Sequence, residues 1–75
     1  MDFSFDKFAD ALYLKFSHEE IYSSEEISDG IIIDYGKEEN IIGIEILNFS
    51  ERNLNLNELI LMQEEEIIPM IARCK

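Results

Sequence analysis

No stretch of this chain restricts its fold more than Asp29–Ser50, D-G-I-I-I-D-Y-G-K-E-E-N-I-I-G-I-E-I-L-N-F-S. Two isoleucine-rich runs flank a short polar loop. β-Branched side chains are stiff in a helix but pack well on a pleated surface, so these runs read as strands. Asp29-Gly30 supplies a tight turn ahead of the first run, because glycine takes positive φ without a Cβ clash. The pattern predicts a hairpin with strands Ile31–Tyr35 and Ile41–Asn48 around a loop over Gly36–Asn40. Alternation puts Ile31, Ile33 and Tyr35 opposite in direction to Ile32 and Asp34. It likewise puts Ile42, Ile44 and Ile46 on one side of the last strand and Ile41, Gly43, Glu45 and Leu47 on the other.

Upstream, Phe3–Asp6 predicts a first strand and Lys7–Asp10 a turn. In Ala11–Phe16 the residues Leu12, Leu14 and Phe16 alternate with Ala11, Tyr13 and Lys15, as in a half-buried strand. Ile21–Ile27 alternates weakly and carries carboxylates that discourage stray pairing, which suits an exposed edge strand. Short strands joined by short turns imply an antiparallel meander, since parallel strands need long crossovers.

After Ser50 the composition changes. Leu56, Leu59, Ile60 and Gln63 fall at helical spacing, with Asn55 or Asn57 as the N-cap, and predict a helix to about Glu65. Pro69 is expected to interrupt a helix, and Ile67, Ile68, Met70 and Ile71 are too apolar for a free tail. They must dock on their own sheet or on a partner. The fold expected is α+β: an antiparallel β-meander of about five short strands with one C-terminal helix packed on one face.

A chain of 75 residues is one domain with a modest core, and small domains lean on disulfides, metals or oligomerisation. Cys74 is the single cysteine and His18 the single histidine, which leaves oligomerisation. The sheet carries apolar residues on both faces and a single helix covers one. A homodimer is therefore expected, with Tyr13, Ile32, Ile41, Leu47, Ile67, Ile68, Met70 and Ile71 as interface candidates. The net charge of −11 disfavours direct binding to nucleic acid or anionic membranes and favours a basic protein partner. The N-terminal residues lack a signal-peptide pattern, and no apolar run approaches the ~20 residues of a spanning helix, so the cytoplasm is the expected location.

Chemistry-bearing residues are sparse. Asp34 and Glu45 lie on neighbouring strands and form a candidate carboxylate pair, but no cation is anchored beside them in sequence, and two solvated sheet residues are the simpler reading. Asp29, Asp34, Glu38 and Glu39 are candidate magnesium or calcium ligands at spacings that match no calcium loop. Cys74, between Arg73 and Lys75, is a candidate nucleophile without an orienting base. Tyr13, Tyr22 and Tyr35 are candidates to line a ligand cleft. His18 reads as a turn residue. The run Glu64-Glu65-Glu66 falls where a helix C-terminus is expected, in conflict with the macrodipole unless the helix continues. Gly43 inside a strand marks a bulge or a close approach by another element. On these residues no catalytic, cofactor-binding or metal site is assigned.

Phe5-Asp6, Ala9-Asp10-Ala11-Leu12-Tyr13, Asp29-Gly30-Ile31-Ile32-Ile33-Asp34-Tyr35, Ile42-Gly43-Ile44-Glu45-Ile46-Leu47-Asn48 and Ser50 together resemble a family of small prokaryotic proteins, domain of unknown function 2283. The similarity runs from Phe5 to Ser50. Phe8 stands where the family usually has an acidic residue, and Gly36 where it often has Asp. The resemblance implies a compact β-rich domain over residues 1–50, a variable helix and tail over residues 51–75, and no assigned activity. The function expected is a non-enzymatic acidic interaction module, in its most concrete form an antitoxin-like neutraliser of a basic partner. The alternatives are a small metal-dependent or carboxylate-based hydrolase and a small-ligand-binding module.

Overall fold

A computed structural model describes residues 2–73, without the side chains of Glu64, Ala72 and Arg73. Five strands form one antiparallel sheet: β1 (Asp2–Asp6), β2 (Ala11–Lys15), β3 (Ser23–Ser28), β4 (Ile31–Tyr35) and β5 (Ile41–Leu47). Their spatial order is β1-β2-β5-β4-β3, which puts the isoleucine-rich β5 at the centre and β1 and β3 at the two edges. Consecutive strands pair at β1–β2, β3–β4 and β4–β5, as a meander requires. The link from Phe16 to Tyr22 instead carries the chain from β2 to the far edge. It is held by Ser17, whose hydroxyl donates to Glu19 Oε2 at 2.9 Å and accepts from Glu19 N–H at 3.1 Å. Asn40 Nδ2 donates to the same Glu19 oxygen at 3.2 Å, which ties the link to the β4–β5 loop.

The turns are held by side chains within and beside them, and of these residues the sequence singles out only the Asp29-Gly30 pair as a turn former. Asp6 Oδ1 accepts from the N–H groups of Phe8 and Ala9 at 2.9 and 3.1 Å. Asp10 sits in the left-handed region at φ 54 and accepts from Ser50 Oγ at 2.6 Å and from Ser50 N–H at 3.0 Å. That pair locks the β1–β2 turn to the 3-10 turn Phe49–Glu51 that leaves β5. Gly30 takes φ +78 in the β3–β4 turn, where its N–H donates to Glu26 Oε2 at 3.0 Å. Arg52 clamps the same region, donating from Nε to Leu47 O at 2.7 Å and from Nη2 to Asp29 O at 2.8 Å.

The C-terminal segment forms two helices rather than one, α1 (Leu56–Leu61) and α2 (Glu64–Arg73). Asn55 caps α1 by accepting from Glu58 N–H, as expected. The break at Met62–Gln63 sets the three glutamates at the start of α2, where the macrodipole favours them. Glu66 Oε1 accepts from Gln63 N–H at 3.2 Å, half of a capping box. Pro69, expected to stop a helix, lies inside α2.

Both helices cover the same sheet face. Leu12, Leu14, Ile31, Ile33, Ile44 and Ile46 from the sheet and Leu59, Ile67 and Ile71 from the helices form the buried core, with Phe16, Tyr35 and Ile41 packed against it. One expected facing is corrected. Asp34 pairs with Gly43 but Tyr35 pairs with Ile41, so β5 carries one extra residue, Ile42. The bulge reverses the alternation beyond it. Ile41 therefore packs toward the helices, while Ile42, fully buried, lies outside that cluster and places its Cδ1 beside Gly36.

Candidate functional site

The face away from the helices holds a hydrogen-bonded side-chain path that crosses the sheet. Tyr13 on β2 stands opposite Glu45 on β5, and Asp34 on β4 stands opposite Gly43. Because Gly43 has no side chain, the Tyr13 ring lies across it, and the phenol donates to Asp34 Oδ2 at 2.7 Å. From the far side Ser24 on β3 donates Oγ–H to Asp34 Oδ1 at 2.5 Å. The path β2–β4–β3 thus spans the central strand over the bare main chain of Gly43. A Cβ on Gly43 would meet Tyr13 Cζ at 2.5 Å and Leu14 O at 2.9 Å. The close approach expected at Gly43 is therefore made by an aromatic ring and a neighbouring carbonyl, directly beside the bulge.

Burial, the hydrogen bond to Asp34, the charge of Asp34 and the charge of Glu45, in that order, raise the Tyr13 phenol well above its ordinary value. A phenol held protonated serves as a donor and not as a base. Both Asp34 oxygens already accept from neighbours. The candidate pair Asp34 and Glu45 does share a face, with Tyr13 against both. The arrangement braces the sheet from β2 to β3.

The other candidates do not converge. Among the described residues no group of three or more His, Cys, Asp or Glu side chains is placed to hold a metal ion. Asp29 lies at the β3–β4 turn, Glu38 and Glu39 in the β4–β5 loop, and Asp34 mid-strand. Tyr13 and Tyr35 are on opposite faces, and Tyr22 is exposed before β3. Tyr35 does help line a shallow depression of about 540 Å³ beside β3, with Ser23, Ser24, Glu25 and Glu39. Its phenol donates to Glu25 Oε1 at 3.4 Å and is raised by burial first and by Glu25 second. His18 Nε2 sits 3.2 Å from Asp2 Oδ2 on the surface. Cys74 lies outside the described residues.

Of the interface candidates, Ile67 and Ile71 are buried in the core of their own chain, and Ile41, Ile68 and Met70 pack against it. Tyr13, Ile32 and Leu47 are half-buried on the open face, among Lys15, Asp34 and Glu45. The large apolar side chains that do stand exposed are at the edges and ends: Phe3, Phe5, Phe8, Ile21, Tyr22, Ile27 and Leu61. The sequence pattern marks Ile21–Ile27 as an exposed edge strand, as found, but not the exposure of Phe3 and Phe5, because an edge strand can have the same alternation as an inner one until its neighbours are known.

A family profile described as "Protein of unknown function (DUF2283)" matches residues 2–50 of the 75. The chain belongs to this family. The match covers the whole five-stranded sheet together with Asp10 and Ser50, and stops before the two helices. No curated protein and no solved structure matches the chain. Among the described residues no helix is long and apolar enough to cross a membrane.

Proposed function

We propose that this DUF2283 member is a non-enzymatic interaction module that binds a basic protein. The observation that carries this reading is the state of the sheet edges. All of β1, and β3 as far as Ile27, is exposed, whereas the interior strands are buried by the helices and by each other. Open strand edges are the surfaces that proteins use for pairing with other chains. A net charge of −11 draws a basic partner to such edges and repels nucleic acid. A small basic toxin that the chain neutralises is the most concrete form of that partner. The rival hydrolase reading is weakened because both Asp34 oxygens are held by Tyr13 and Ser24.

The test is affinity capture from native extract followed by reconstitution of the purified pair. A stoichiometric basic partner whose affinity falls as salt rises supports the reading. Recovery of no stoichiometric partner, or only of acidic ones, overturns it.

The homodimer also has a specific observation in its favour, now at β1 and not at the open face. Its sequence, Asp2-Phe3-Ser4-Phe5-Asp6, is palindromic, and Phe3 and Phe5 remain 48% and 45% exposed on the helix side. Antiparallel pairing of two β1 edges about Ser4 would set Phe3 against Phe5 of the second copy, a favourable cross-strand aromatic pair. It would also set Asp2 against Asp6, which limits its strength.

A further inference from the structure

The two sheet edges differ in chemistry, and the β3 edge specifies its occupant more narrowly. The main-chain direction at this edge follows from one hydrogen bond. Leu47 N–H donates to Gly30 O at 2.8 Å across β5 and β4. Alternation along β4 then turns the main-chain groups of Ile32 and Asp34 toward β5, and those of Ile31, Ile33 and Tyr35 toward β3. Tyr22 N–H donating to Tyr35 O at 2.8 Å agrees. Ser23 and Glu25, which pair with Tyr35 and Ile33, therefore face inward. Ser24 and Glu26 are left with N–H and C=O turned to the open edge.

The side chains along this edge are acidic on both faces. Glu25 stands on the helix side, beside the depression it lines with Ser23, Ser24, Tyr35 and Glu39. Glu26 stands on the open side, opposite Ile32. Neither β3 nor the link from Ser17 to Tyr22 carries a Lys or Arg, and His18, at the start of that link, sits at Asp2. A second copy of this chain is a poor occupant, because Glu25 and Glu26 would face their own kind.

We propose that the free edge of β3 accepts an extended segment of a basic partner as a sixth strand, and that the segment carries two consecutive basic residues. Successive side chains of a strand point to opposite faces, so adjacent Lys or Arg residues would meet Glu25 on one face and Glu26 on the other. The residue on the helix side enters the depression, where Glu25 and Glu39 supply charge and the Tyr35 ring a face for the cation. Main-chain pairing with Ser24 and Glu26 gives the affinity, and the dibasic pair gives the selection. The inference rests on the interaction-module reading and assigns its edge and its partner chemistry.

The probe is a synthetic ten-residue peptide with a central Arg-Arg pair flanked by Thr and Val, added to the full chain. Binding is followed by amide hydrogen exchange and by a salt titration. Slowed exchange at Ser24 and Glu26 is expected, with affinity falling as salt rises. Replacing Arg-Arg by Glu-Glu should abolish binding. Glu25→Gln and Glu26→Gln should each weaken it roughly two- to fivefold, the range of an exposed ion pair. The second variant keeps an oxygen to accept from Gly30 N–H. No binding, binding that leaves Ser24 and Glu26 unprotected, or protection confined to β1 each overturns the β3 assignment. None of these touches the broader reading if affinity capture still yields a basic partner. Failure of the capture sinks the broader reading whatever the peptide does.

Discussion

At the residue scale, Gly43 and Tyr13 form one unit. Gly43→Val places a side chain into the Tyr13 ring and near Leu14 O. Overpacking of this kind costs ~1–3 kcal/mol, and the better strand propensity of valine returns less than about 1 kcal/mol. Thermal melts should show a lower midpoint for Gly43→Val. In a Tyr13→Ala background the same substitution should cost less, because the ring is gone and only the carbonyl contact remains. An unchanged or higher midpoint for Gly43→Val alone would mean that the ring does not need the gap. Tyr13→Phe removes the donor to Asp34 Oδ2 and should cost about 1 kcal/mol, since this part-buried bond has a charged acceptor. Its pH dependence has a definite sign. The folded phenol is held above its ordinary value of 10.0, so folding favours the protonated form. The contribution is full below about pH 10 and is lost as pH rises through the folded value. The stability gap between wild type and Tyr13→Phe, from denaturant unfolding, should therefore be constant from pH 7 to 9 and shrink above pH 10. A gap that widened there would contradict the assignment.

At the element scale, α2 holds Pro69 at an exposed position in its interior. Proline has no N–H to give the carbonyl of Glu65 one turn back, and its ring crowds that carbonyl. Packing of Ile67 and Ile71 into the core holds the helix together across this residue. Each fully buried isoleucine contributes ~1.5–3 kcal/mol, enough to offset a proline penalty of ~3 kcal/mol. Pro69→Ala should therefore stabilise the chain by ~1–3 kcal/mol and deepen the helical dichroism signal. A loss of stability would show that the proline fixes the docking angle of α2. The glutamate run belongs to the same argument. It conflicts with a single helix ending near Glu65, and the conflict disappears once the chain breaks at Met62–Gln63 and restarts.

At the scale of the whole molecule, the two edges should answer salt in opposite ways. A β1-to-β1 dimer brings Asp2 and Asp6 of two copies together, so screening their repulsion should tighten it. A basic strand on β3 is held by attraction, so screening should loosen it. Light scattering across a salt series should show mass rising from that of the 8.8 kDa chain toward twice that value as salt increases. Phe3→Ser with Phe5→Ser should hold the chain at its monomer mass under all conditions. A dimer that survives both substitutions places the self-contact elsewhere.

The sequence alone determined the strands, because period-two alternation and β-branched composition act locally. Strand β4 falls where the pattern puts it, and the others differ only by a residue or two at their ends. The turn at Asp29-Gly30 and the cap at Asn55 were equally legible, since each acts on the chain within a few positions of itself. The sequence marked Gly43 as unusual and put Asp34 and Glu45 on adjacent strands. It could not show Tyr13 reaching over Gly43 to Asp34, a contact between residues 21 apart in the chain. Only the tertiary structure decided the strand order, and with it that Phe3 and Phe5 lie at the second edge; the carboxylates of Ile21–Ile27 had already marked that segment as an edge. Only the tertiary structure decided the side taken by Ile41 and Ile42, because a single bulged residue shifts the alternation, and Gly43 marked a bulge or close approach without saying which residue is inserted. It also decided that the segment after Ser50 closes over its own sheet as two helices. Burial of Leu59, Ile67 and Ile71 against the strands outweighs the local preference of Pro69, an energy that exists only once distant parts of the chain have met.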